Sequence, residues 1–167
     1  QWLISETNTL YIKGASSSPY TAGTYTLNDI IMVAVDLDNS KIYFGRNGTW
    51  LGTSDPATST APADSTVTST YGIIPCVTGY TGIIVNATIN LTAAQQSFAA
   101  PSGFTPWGDA SHTLDAKNAS QYATLSNGNR TIANSNGANN AGAFCDTPIA
   151  GKVYFEGTFD SPGTAGR

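Results

Sequence analysis

Charge is the scarcest property of this chain. Asp, Glu, Lys and Arg make up 11% of its 167 residues, against about 25% in an ordinary soluble domain. The seven Lys and Arg are scattered, and the formal net charge is -4. With no basic stripe to neutralise phosphates, no nucleic-acid binding is expected. Long apolar runs are missing as well. The longest, Ile30 to Val35, falls far short of the roughly 18 residues needed to span a bilayer as a helix, so no membrane insertion is expected. Helical periodicity is nearly absent, and the best candidate, Thr92 to Ser97, makes a turn or two at most. Histidine occurs once, at His112, and cysteine twice, at Cys76 and Cys145. The cysteines lack the close spacing of a metal or redox motif. Two readings stand for them: a Cys76–Cys145 disulfide, or two separate thiols packed as small hydrophobes. The first residue is Gln1 and not Met, which points to a processed product or part of a longer chain.

What replaces charge is Thr, Ser, Asn, Gly and Ala. Surfaces solubilised by hydroxyls and amides are common on exported and viral fibre-like proteins. Apolar residues reach 40%, enough for a real core in a single domain over 1–167. Strand signals run throughout. Leu10 to Lys13 is a short strand. Ile30 to Leu37 is apolar without alternation, as expected of a strand buried on both faces. Lys41 to Arg46 and Thr49 to Leu51 flank Asn47-Gly48, the strongest short-range hairpin signal, because both central residues of a type I′ turn need positive φ. Gly52 to Thr70, with Pro56 and Pro62, reads as a surface loop. Tyr71 to Val77 and Gly82 to Ile89 read as two further strands, and the turn-rich stretch after Phe98 as a boundary. Tyr122 to Leu125 and Thr131-Ile132 form a second hairpin around Ser126-Asn127-Gly128-Asn129. Lys152 to Phe159 is the last clear strand. Many short strands, regular turns and no helices predict an all-β, antiparallel two-sheet β-sandwich.

Three segments together resemble the SPRY domain family, a concanavalin-like sandwich or jelly roll. "DIIMVAVDLDNSKIYFGRNGTWLG" (Asp29 to Gly52) resembles the family's signature strand, Asp-Leu-Asp end and Asn-Gly hairpin. "YGIIPCVTGYTGIIVNATINLTAAQQSFAAPSGF" (Tyr71 to Phe104) is similar to its closing segment, ending in Pro-x-Gly-Phe. Leu125 to Phe159, with "LSNGN" and "GKVYFEGTF", resembles its opening segment. The order is swapped: 1–108 resembles the C-terminal part of the family domain and 109–167 its N-terminal part. Three readings fit. One is a circular permutant jointed at Ser102 to Ser111. A second is a window cut from tandem repeats. The third is a filament subunit whose last elements complete the next copy, a heterologous contact that makes fibres and covers sheet edges. On that third reading an isolated chain is poorly folded, because the "GKVYFE" strand lacks its neighbour.

No catalytic constellation is apparent, so the chain is not expected to be an enzyme, and no cofactor is expected. His112 has no nucleophile motif beside it, and nothing activates Cys145 next to Asp146. Asp36, Asp38 and Asn39 can be pictured around calcium, but the resemblance implies a structural strand end whose side chains cap turn amides, and no metal is expected. Nothing brings Glu6, Glu156 and Asp160 together as a glycosidase pair. Trp50, Tyr80 and Trp107, with Tyr20 and Tyr25, lie near predicted turns, where they either contact a ligand or cover the core. Of five Asn-x-Ser/Thr sequons, Asn47 and Asn129 lie in predicted turns and Asn118 is a further candidate acceptor; Asn86 and Asn90 lie in or beside a strand. The number is close to what this composition yields by chance. The expected function is that of a structural subunit or repeat of an extracellular, cell-surface or virion-associated filament or fibre, whose partners are copies of itself. A glycan- or protein-binding adhesion module is the alternative.

Overall fold

The structure, a computed structural model, describes residues 2–4, 10–12, 15–17, 26, 28–68, 73–78, 86–108, 112–134 and 141–161. Among them there is no helix, and so none long and apolar enough to cross a membrane. Thr92 begins only a turn, in which the Gln95 and Gln96 amides donate to its carbonyl.

Strands β1 (Trp2–Ile4), β2 (Leu10–Ile12) and β3 (Ala15–Ser17) form a three-stranded antiparallel sheet. The large sheet draws on both halves of the chain. It contains β4 (Ile30–Asp36), β5 (Lys41–Arg46), β6 (Thr49–Trp50), β8 (Asn86–Asn90), β9 (Thr105–Pro106), β10 (Ala123–Ser126), β11 (Thr131–Asn134) and β13 (Lys152–Ser161). Its order is β10-β11-β8-β13-β4-β5-β6, antiparallel throughout, with β9 alongside β13 in parallel. A two-stranded ladder pairs β7 (Cys76–Thr78) with β12 (Gly142–Phe144). The strands expected at Tyr71 to Val77 and Gly82 to Ile89 therefore take different partners: β7 joins β12, while β8 joins β11 and β13.

Both predicted hairpins form. Asn47 and Gly48 have φ of 50° and 83°, and the second turn has Asn127, Gly128 and Asn129 at 53°, 62° and 59°. These are left-handed conformations that Asn and Gly adopt at least cost. The Gly52 to Thr70 stretch is more than a surface loop. The Ala63 amide donates to the Ile42 carbonyl at 2.8 Å, the Ile42 amide donates to the Asp64 carbonyl at 3.0 Å, and Ala63 and Val67 are buried. The segment thus satisfies the outer edge of β5 that β6 leaves open, as a buried backbone requires.

Alternation sorts the large sheet's side chains onto two faces. Val35, Phe44, Ile89 and Val153 point into the larger buried cluster, which Trp107, Leu114, Cys145 and Ile149 complete. Met32, Ala34, Tyr43 and Tyr154 form a second cluster with Phe104, against which Trp50, Phe98 and Ala100 pack. Two covered faces explain why β4 is apolar without alternation. The stretch 101–108, where the sequence suggests a boundary, is stitched in: Phe104 lies in the second cluster, and the Trp107 amide donates to the Tyr154 carbonyl at 2.9 Å. The "GKVYFE" strand has neighbours on both sides within its own chain. β4 pairs with it from Lys152 to Thr158, and β8 pairs with it on the opposite side from Glu156 onward. This differs from the expectation of a strand left without a neighbour.

Candidate functional site

Among the described residues, the seat of β13 gathers the most polar chemistry around one strand. Lys152, Tyr154 and Glu156 share one face of the strand. Lys152 Nζ lies 3.0 Å from Asp36 Oδ2 on β4. Asp36 is almost fully buried and also accepts from the Asn39 backbone amide (3.0 Å) and from Asn39 Nδ2 (2.8 Å). Burial pushes its carboxyl up, but the Asn39 and Lys152 hydrogen bonds outweigh this and hold it below the ordinary aspartate value. The same hydrogen bond to Asp36, with the nearby negative charge, raises the Lys152 ammonium.

Tyr154 stands edge-on to Trp50, with ring centroids 6.2 Å apart. Its hydroxyl donates to Glu156 Oε1 at 2.8 Å, and burial together with that carboxylate raises its pKa. Glu156 is 0% exposed. It accepts the Ser97 amide on Oε2 and the Phe98 amide on Oε1, each at 2.8 Å. The three donors replace the water it has lost, which is the condition for burying such a group. They also tie the segment after β8 to the central strand. Sequence reasoning placed Glu156 on a strand but missed this role. The available signal was an acidic residue two positions from a Tyr, next to Phe155 in the apolar middle of the strand.

The other candidate residues are dispersed. Trp107 is 8% exposed and packs against Phe155 and His112, at 6.0 and 5.5 Å between centroids. Trp50 is half-buried on Tyr154. Both indoles therefore cover the core. Tyr80, Tyr20, Tyr25 and Glu6 lie outside the described residues, as does the side chain of Asp160. Asn47 is exposed, but its Nδ2 donates to Asp29 at 2.6 Å and its Oδ1 accepts the Ile30 amide. The nitrogen a glycan would use thus already holds the hairpin. Burial pushes Asp29 up, while the Thr26 amide, Asn47 and Arg46 together bring it below the ordinary value. Asn118 Nδ2 donates to Asp115, and Asn129 is half-buried in its turn.

Cys76 and Cys145 are both free thiols. Cys76 pairs in register with Phe144, so Cys145, one residue further, points to the opposite face of the ladder. Burial first, then Asp146 and Cys76, push the Cys145 thiol up to about 12, which suits a packed residue and not a nucleophile. Among the described residues, no three His, Cys, Asp or Glu side chains converge as a metal site; Asp36 and Asn39 bond to each other at the strand end. Phe144 (52% exposed) and Ile74 (39%) are the large apolar side chains left open to solvent among the described residues, and the sequence did not single them out. No family model, curated protein or solved structure matches this chain.

Proposed function

We propose that this chain is a structural subunit or repeat of an extracellular or virion-associated filament or fibre. We read it as a SPRY-like, concanavalin-type β-sandwich in permuted order, whose copies are linked by exchange of β13. One observation carries the reading: β13, the last described strand, is also the central strand of the large sheet, flanked by β4 and β8. The same slot and the same contacts serve equally for the strand of a neighbouring copy, which is the low-cost route of domain swapping. When each copy passes its strand to the next, the contact is heterologous and the assembly stays open. The ladder of β7 and β12, whose Ala143 joins the larger cluster, supports the reading of a second layer.

The test is refolding from denaturant at low and at high protein concentration, followed by light scattering and electron microscopy. The expected result is monomer at low concentration and linear oligomers at high concentration. A monodisperse monomer under both conditions overturns strand exchange and leaves a self-closed permutant. The exposed Phe144 favours a second reading, an adhesion module for a glycan or protein. That reading expects a saturable ligand on a glycan array and loss of binding in F144A; an array without hits removes its glycan form.

A further inference from the structure

β13 carries a charge on each side of Tyr154: Lys152 two residues before it and Glu156 two residues after, all on one face. Strand register slips conserve the inward face only in steps of two residues. A slip of two in one direction carries Lys152 into the place of Tyr154. A slip of two in the other direction carries Glu156 there. That place is fully buried beside Tyr43, Phe104 and Trp50, where an ion has neither water nor a partner. Either slip also breaks both anchors, since Lys152 leaves Asp36 and the Ser97 and Phe98 amides lose Glu156. An alternating apolar strand of equal β-propensity would meet none of these penalties.

We infer that Lys152 and Glu156 act as a register key, two charges that admit this strand to the slot between β4 and β8 in one register only. The strand that the slot takes from outside its own chain is accordingly the β13 of a second copy. This last step rests on the strand-exchange reading, whereas the key itself does not.

The two parts are separated by one set of experiments on the full chain. Cross-strand Hα–Hα NOEs between β13 and β4 are recorded for the wild type, K152M, E156M, K152M/E156M and V153A. In the wild type Phe155 stands opposite Val33. K152M/E156M removes both charges and both anchors, so slipped registers are expected, with Phe155 opposite Ile31 in one direction and Val35 in the other. K152M and E156M alone each keep one anchor, so both are expected to hold the wild-type register in the main. V153A, which weakens packing on the opposite face, keeps the wild-type register. A single unshifted register in K152M/E156M overturns the key. If K152M/E156M does not fold, K152M/E156Q, which removes both charges but keeps a side-chain acceptor for the Ser97 and Phe98 amides, decides the question by the same criterion. Copies labelled separately with 13C and 15N are then mixed and refolded together at high concentration. Intermolecular NOEs between β13 and β4 are expected; register shifts in the variants without them leave the key standing and overturn the exchanged partner.

Discussion

Asp36 and Lys152 set the pH range over which one corner of the sheet holds. The Asp36 carboxyl titrates below its ordinary value in the folded chain. Its contribution is therefore present above the unfolded aspartate pKa, about 3.9, and is lost as pH falls through the folded value. The Lys152 ammonium is raised above its ordinary 10.5. Its contribution is present below that value and is lost as pH rises through the folded one. The difference in urea midpoint between wild type and D36N should thus stay level across the neutral range and shrink below about pH 4. A difference that persists undiminished at pH 2 would show that Asp36 acts through shape and not charge. Glu156 differs in kind: its partners are neutral donors, so its place is defined by geometry.

The first hairpin, β5 to β6, was legible because its turn residues are conformationally special. Its dependence on a distant segment was not. Gly48 has φ +83°, and a Cβ there would lie 2.7 Å from the Phe98 ring. Gly128, in the second hairpin, has φ +62° with nothing within 4 Å. G128A should cost about 1–2 kcal/mol, the strain of a left-handed alanine. G48A should cost roughly 1–3 kcal/mol more, because the packed Phe98 ring must shift. Urea unfolding of the two variants measures the difference; equal losses would mean that the ring yields freely. The Gly52 to Thr70 stretch makes the same point in reverse. Its polar composition reads as solvent-exposed loop, yet Ala63 and Val67 anchor it under the outer edge of β5. Two small apolar residues in a polar run are too weak a local signal to predict that docking.

Across the whole molecule, stability centres on a strand supplied from far along the chain. β13 is bonded on both sides, while β10 and β6 end the sheet. Native-state hydrogen exchange should find the β4 and β13 amides slowest, opening only with global unfolding, and the β10 amides faster. Equally fast exchange in β13 and β10 would contradict a central, cooperative β13. Slow opening also bears on assembly. A folded monomer cannot release its central strand without losing the sheet, so the proposed exchange would have to occur during folding. Pairing of such remote segments is slow, which on the proposed reading would give neighbouring copies time to compete for the slot.

The sequence by itself determined the strand class of the protein and both hairpins. These follow from local facts: alternation, turn residues that tolerate positive φ, and the residue types present. The Asp-Leu-Asp strand end was also legible as a capping element, since Asp36 and Asn39 are close in the chain. Only the tertiary structure decided that "GKVYFE" occupies the centre of its own chain's sheet, that Trp107 is core, and that Glu156 clamps Ser97 and Phe98. Each of these joins residues far apart in sequence. No local pattern specifies which of many compatible strands will pair, because that choice is made by the packing of both faces at once.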